Sequence, residues 1–440
     1  MPGRFEIVAR RRPVSLVAPG FVAVREDGPG SWALPQPAPY AAATAVGAHE
    51  IALTSGETGL AVELDGDAIG LRVTTGGRTT RHRSRRFGRL PVAPEALGLT
   101  LTGTQLTAFA KEAGRWIARA RHDLVERLDP RAETFTAGLH VEASGDGPIE
   151  AGAFGQLGLR DVRLVTEADG TPVRDGSRLL VTATHAGPGF FDAAHTGVWT
   201  IDPDGWRLEH RADLFFRRPD RPGAYGDNAT HLVRDGTRWL VATSTWGDFE
   251  RAHKDATVTT TLAETTADLT RGRHLLDTRP LHLPTGDLRS VGTWDPYLLR
   301  TDGAWLVGFV SATRFFKFHP ALAAGPDLDD LSFVAAATDR TATEGPTLVR
   351  LDGEWRLLAS DGRKGPRGKQ MAFPVFDLSL AQVGELDAPY PTNIPWPTLA
   401  RIDDQTDDGW VLLMFDGTRA GGELVGYGTH GDVVVATASR

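Results

Sequence analysis

Residues 231–246 read HLVRDGTRWLVATSTW: an apolar run, an Asp-Gly pair, and a second apolar run that opens on tryptophan. Asp-Gly between two apolar segments is a strong hairpin signal, because the tight turns joining antiparallel strands need positive φ at one or both central positions. The pattern recurs at 296–313 (PYLLRTDGAWLVGFVSAT), at 346–362 (PTLVRLDGEWRLLASDG), and around Asp175-Gly176 and Asp408-Gly409. Trp239, Trp305, Trp355 and Trp410 follow four of the turns, and Leu179 and Leu180 follow the first. These tryptophans are expected to pack between neighbouring repeats. Successive turns lie roughly 50 to 70 residues apart, a period that suits a four-stranded propeller blade with loop insertions better than a solenoid unit. The repetition predicts an all-β chain carrying a five-bladed β-propeller over 151–440.

Residues 41–150 have another character. GLAVELDG at 59–66, AIGLRVTTGG at 68–77 and the run from Leu99 to Leu124 alternate apolar and polar residues between glycine turns, which predicts a β-sandwich. The first forty residues, rich in Arg and Pro, read as an N-terminal arm packed along either domain. The final run around His430 is expected to finish the last blade, with a strand from the segment preceding Asp161 as a further candidate for closing the ring.

Composition narrows the function. The chain has 440 residues, no cysteine and a net charge of −8, so neither disulfides nor thiolate chemistry enter and nothing electrostatic favours nucleic acid. Arg81, Arg83, Arg85 and Arg86 form too short a cluster to reverse that, and they read as a solvated strand end. With no membrane-length apolar run and a charged, mixed N-terminus, the expectation is a cytoplasmic protein without a membrane partner, or a secreted one if a leader was trimmed.

The entrances to the repeats carry the chemical signal. Asp161, Asp227, Asp295 and Glu344 stand just upstream of four hairpins, while the fifth repeat offers Asn393 and Trp396. A propeller gathers these entrances around one channel, where converging acids repel and one is driven to keep its proton near neutral pH. A protonated acid beside an ionised one is what glycosidic bond cleavage requires. Trp294 and Trp396 could stack on a sugar face, and Asn228 and His231 lie beside Asp227 as candidate substrate contacts. His185 and His195 flank a Gly-Pro-Gly loop of the kind that rims sites. Basic residues at Arg314, Lys317, His319, Arg363, Lys364 and Arg367 read mainly as surface. No His-Glu-x-x-His spacing occurs, so no catalytic metal is expected.

Five repeats with an early Asp, the Asp295-Pro296 pair and Glu344-Gly345-Pro346 resemble glycoside hydrolase family 43 and its five-bladed relatives. The resemblance implies Asp161 as the base that activates water, Asp295 as the modulator and Glu344 as the general acid. It further implies release of a terminal pentose such as arabinofuranose with inversion, no required cofactor, and a possible structural calcium in the channel near His231. Val162 stands where the family has proline after the first Asp. The run 99–124, with GLHVEA at 138–143, is similar to laminin-G and concanavalin-like sandwiches. Two rival readings stay open: a retaining fructan-type or transglycosylating enzyme with Asp161 or Asp227 as nucleophile, and a non-catalytic carbohydrate-binding protein.

Overall fold

The computed structural model describes residues 2–250, 257–315, 317–402, 409–426 and 431–438. Asp408 of the fifth turn and His430 lie outside the described residues. Almost everything described is strand or turn; Glu133–Ala137 forms a short helix. No helix among the described residues is long and apolar enough to cross a membrane.

Short antiparallel strands follow where alternation and glycine turns dictate them. Glu50–Ser55, Thr58–Asp65, Ala68–Thr75 and Arg78–His82 are joined by two-residue turns in which Gly56, Gly66 and Gly76 adopt positive φ. With Gly30–Ala33 and His140–Ser144 they make one six-stranded sheet. A second six-stranded sheet runs in the order Arg115–Asp123, Gln105–Glu112, Ala96–Thr102, Tyr40–Val46, Pro148–Gln156 and Ser15–Asp27. Ile51, Leu60, Val62 and Leu71 of the first meet Leu97, Leu99, Leu101 and Ala108 of the second in one apolar core. Tyr40, Phe109 and Phe154, on the outer face of the second sheet, pack against Phe215 of the next unit.

From Leu159 onward the chain builds five further sheets in succession. Their first strands are Leu159–Leu164, Asn228–Asp235, Thr293–Thr301, Thr343–Leu351 and Thr398–Arg401. Each contacts the next in that order, and the fifth returns to the first, so the sheets close a ring. One apolar cluster fills each junction between neighbouring sheets. Trp239, Trp305, Trp355 and Trp410 all sit in these junctions, as their place behind the turns predicts.

Two details differ from the sequence reading. The first forty residues are not a separate arm: Phe5–Arg11 pairs with Asp432–Ala438 and completes the fifth sheet of the ring, and Ser15–Asp27 belongs to the second six-stranded sheet. The alternation in FEIVARR and SLVAPGF, masked by the Arg and Pro around it, is what each edge pairs with. The Asp-Gly pairs also occupy two registers. Asp302-Gly303 and Asp352-Gly353 stand at the turn centres with both residues at positive φ, whereas Asp175 and Asp235 are the last strand residues and Gly176 and Gly236 open the turn. The arginine cluster is exposed, and Arg81 and Arg86 pair with Glu63 and Glu423 at 3.1 Å each.

Candidate active site

Four of the five first strands of the ring enter through the same distortion. The pairing register slips between Arg160 and Arg163, between Asn228 and His231, between Trp294 and Tyr297, and between Glu344 and Thr347. Within or beside the slip one residue takes left-handed φ: Asp161 (53°), Ala229 (59°), Asp295 (57°), Gly345 (73°) and, ahead of the fifth strand, Trp396 (57°). These bulges re-aim side chains at the strand entrance. Hydroxyls from the preceding sheet hold them, since the N–H groups of Ala229, Asp295 and Trp396 donate to Thr184 Oγ1, Ser244 Oγ and Ser360 Oγ at 3.3, 2.9 and 3.1 Å. Aspartate tolerates left-handed φ better than most residues, which suits it to this position.

The bulge therefore sets the alignment of the acids. Asp161 and Asp295 occupy the left-handed position itself, and Pro296 aligns with Pro346. Glu344 stands one residue earlier, in the place held by Arg160, Asn228 and Trp294. Gly345 fills the left-handed position of that repeat because a Cβ there would lie 2.6 Å from Trp396 Cγ. Asp227 is two residues ahead of its own bulge, and its carboxylate accepts from Arg218 Nε at 2.9 Å and from the Gly247 N–H at 3.0 Å, with no exposure. That acid is sequestered in an ion pair, not presented to the channel. The cavity of ≈ 1140 Å³ lined by Arg131, Arg218, Tyr225, Asp248 and Phe249 is not lined by Asp161, Asp295 or Glu344.

Asp161, Asp295 and Glu344 come together closely enough for their charges to act on one another. Burial, then the charge of Asp161, pushes Glu344 up to about 7, against the Trp294 indole N–H that donates to Glu344 Oε2 at 3.3 Å. Burial and the Glu344 charge drive Asp295 well above its ordinary value, and its Oδ2 has no hydrogen-bond partner. Burial also raises Asp161, but Arg160, the Thr184 hydroxyl and Arg163 pull it back. Of the three, Asp161 has the most groups opposing its rise, while Glu344 has the Trp294 N–H alone and Asp295 is raised further by the Glu344 charge. Neither is sealed off: Glu344 is part-exposed, and the Asp161 side chain keeps 13% exposure.

Arg163 escaped the sequence reading, although an arginine inside the apolar alternation of RDVRLV was the available signal. Fully buried, it donates from Nη1 to the Pro346 carbonyl at 2.6 Å and from Nη2 to the Asp295 carbonyl at 3.1 Å. Its guanidinium lies 4.5 Å from the Trp396 ring centroid. Burial lowers it to about 10, so it stays charged at neutral pH and ties the third and fourth entrances to the first.

The other expected contacts sort by burial. Trp294 and Trp396 are 2% and 4% exposed, so they wall the site from within and offer no open face for stacking. Trp294 packs with Trp246, Phe315 and Phe318, in a cluster that also takes in Phe191 and Phe249. Asn228 is buried, donating to the Gly226 carbonyl. His231 stacks on Tyr297, its Nδ1 accepts the Leu298 N–H at 3.0 Å, and its Nε2 lies 3.3 Å from Thr166 Oγ1. Burial holds it well below its ordinary value, and with both nitrogens engaged it has no lone pair left for calcium. Asn393 is exposed and accepts the Arg363 N–H, linking two loops. Arg314, Lys317, Arg363, Lys364 and Arg367 are exposed, while His319 is buried.

His185 and His195 do not rim the site. Both are fully buried between the first sheet of the ring and the two-sheet unit, gathered with His210 around Asp213 Oδ1 at 3.7, 3.1 and 2.9 Å. Alternation explains it: Thr184 and His185 face opposite sides of one strand, and Thr184 takes the channel side. His185, His210 and Asp213 have metal-ligand spacing. The carboxylate oxygen itself is the hub, however, and Trp199 Nε1, a donor only, occupies His185 Nε2 at 2.7 Å. Burial raises the Asp213 carboxyl, but His210 and His195 more than offset it and hold the group well below its ordinary value. The cluster is a hydrogen-bond network within the first sheet of the ring, and Arg273 ties it to the two-sheet unit by donating to Asp213 Oδ2 at 3.3 Å and to the Gln36 side-chain carbonyl.

No family model and no curated protein matches the chain. Solved structures do. The chain is similar to the GH32 β-fructofuranosidase BmSUC1 of Bombyx mori at 13% identity and TM-score 0.43, over 63% of this chain and 60% of that one. It is similar to the GH43_1 enzyme of Xanthomonas citri complexed with xylose at 15% identity and TM-score 0.42, over 63% and 86%. The inulosucrase of Halalkalicoccus jeotgali bound to kestose aligns at 15% identity and TM-score 0.46, over 64% and 85%.

Proposed function

We propose that the protein is a glycoside hydrolase built on a five-bladed propeller behind an N-terminal sandwich, acting on a carbohydrate substrate. The observation that carries this reading is the unequal pair: burial raises both carboxyls, but Arg160 and the Thr184 hydroxyl oppose the rise at Asp161, whereas Glu344 is pushed up to about 7. At neutral pH the first can take a proton from water and the second can give one to a departing glycosidic oxygen. Asp295, driven toward its protonated form between them, would orient the sugar. The step uses protein groups alone.

The finer reading is a single inverting displacement that frees a terminal pentose such as arabinofuranose. The aromatic cluster of Phe191, Trp246, Phe249 and Phe315 beside the acids favours a short pocket over an open cleft, which suits exo action. Nitrophenyl furanosides and pyranosides test the reading, with the product anomer followed by NMR. Turnover that falls by roughly 10²-fold or more in Glu344→Gln is expected. Binding without turnover in either form would establish a lectin instead, and a retained anomer would make Asp161 a nucleophile.

A further inference from the structure

The loop 187–194 leaves the first sheet of the ring, touches the two-sheet unit and returns. Its hold on that unit is specific. The Tyr40 hydroxyl, fully buried, donates to the Ala194 carbonyl at 2.8 Å and lies 3.4 Å from that of Asp192. Burial pushes this hydroxyl far above its ordinary value, so it remains a neutral donor. Gln105 Nε2 donates to Asp192 Oδ2 at 3.1 Å and to Asp123 Oδ2 at 2.8 Å. The loop lies so close to Gly103 that a Cβ there would stand 2.4 Å from the Asp192 carbonyl oxygen. Asp192 Oδ1 in turn accepts the Phe190 N–H at 3.2 Å.

What this clamp holds in place is Phe191. Its ring lies 4.6 Å from that of Trp246 and 6.0 Å from that of Phe249, and the Arg160 guanidinium lies 5.8 Å from its centroid. Arg160 Nε donates to Asp161 Oδ2 at 3.3 Å. A continuous chain of contacts thus runs from the two-sheet unit, through the loop, to the carboxylate that the hydrolase reading makes the base.

We propose that Tyr40 and Gln105 are positioning residues of the sugar site: by fixing the loop they set Phe191 as the wall beside Asp161, so that the two-sheet unit decides which terminal sugar fits. This rests on the hydrolase reading. An aromatic wall touching an apolar sugar face contributes to ground-state and transition-state binding alike, so loosening it raises KM more than it lowers kcat.

The test compares wild type with Tyr40→Phe, Gln105→Ala and Phe191→Ala on the nitrophenyl glycoside that wild type turns over best. Tyr40→Phe keeps the buried ring and removes only the hydroxyl, so it folds even if Gln105→Ala does not. Each variant is expected to raise KM about tenfold with kcat changed less than about threefold. The Gln105→Ala/Phe191→Ala double variant should be no worse than Phe191→Ala alone, because the two act through one wall. Amide exchange should quicken at Gly189 and Phe190 in Tyr40→Phe and Gln105→Ala. Quickened exchange with unchanged KM, or fully additive effects in the double variant, would overturn the positioning role while leaving the hydrolase intact. A wild type inert on every glycoside would sink the hydrolase reading and this proposal with it.

Discussion

Glu344 is raised chiefly by burial, which suits it to the proton donation proposed for it and also makes it a source of instability. A carboxyl whose folded-state value is about 7 binds its proton more tightly than the unfolded chain does, for which the ordinary value is 4.5. Folding is therefore favoured below the unfolded value, and that advantage is lost as pH rises through the folded one. Glu344→Gln should be more stable than wild type at pH 8, by on the order of 1–2 kcal/mol, and no more stable near pH 4, which thermal unfolding at both values would reveal. The same proton appears in the kinetics: kcat/KM should fall as pH rises through about 7. Trp294→Phe, which removes a donor to the carboxylate, should move that alkaline limb to higher pH. At this scale the sequence was legible where chemistry forced an unusual residue, as in Glu344-Gly345-Pro346. It was misleading where burial decides, since Asp227, His185 and His195 look like site residues until Arg218 and Asp213 are seen to occupy them.

Among elements, the bulge that recurs in four of the five first strands is what brings Asp161, Asp295 and Glu344 into one candidate site. The left-handed position accepts aspartate, alanine, glycine or tryptophan; in the first and third repeats its occupant is the acid, and in the fourth the acid stands one residue ahead of it. Gly345 is the tightest case, because any Cβ meets Trp396 as well as the strained φ. Gly345→Ala should cost about 2–4 kcal/mol in urea unfolding and lower kcat, because Glu344 would be displaced with it. An unchanged unfolding midpoint would mean that Trp396 yields freely. The hairpins behind the bulges could be read from Asp-Gly and Trp. The bulges could not, since an inserted residue breaks alternation by one place and the hydroxyls that hold it come from another repeat.

For the whole molecule the decisive contact is the one between Phe5–Arg11 and Asp432–Ala438. Without it the fifth sheet would have three strands and an open edge, and Phe5 would leave its cluster with Leu358, Leu412 and Val434. Removal of residues 2–12 should lower the melting temperature by several degrees, about 2–4 °C for each 1 kcal/mol lost, and should expose the last sheet to protease first. This pairing was hidden in the sequence because a strand partner more than 400 residues away leaves no local trace. The two-sheet unit was easier to recognise, its turns being local, though its first strand was lost among the arginines and prolines.

That pairing also imposes an order on how the protein is made. Phe5–Arg11 is synthesised before its partner Asp432–Ala438, so it must wait, unpaired, while the residues between them are made. Until then the growing ring lacks the strand that completes its fifth sheet. The ring is therefore complete only once Asp432–Ala438 has been made and has met Phe5–Arg11.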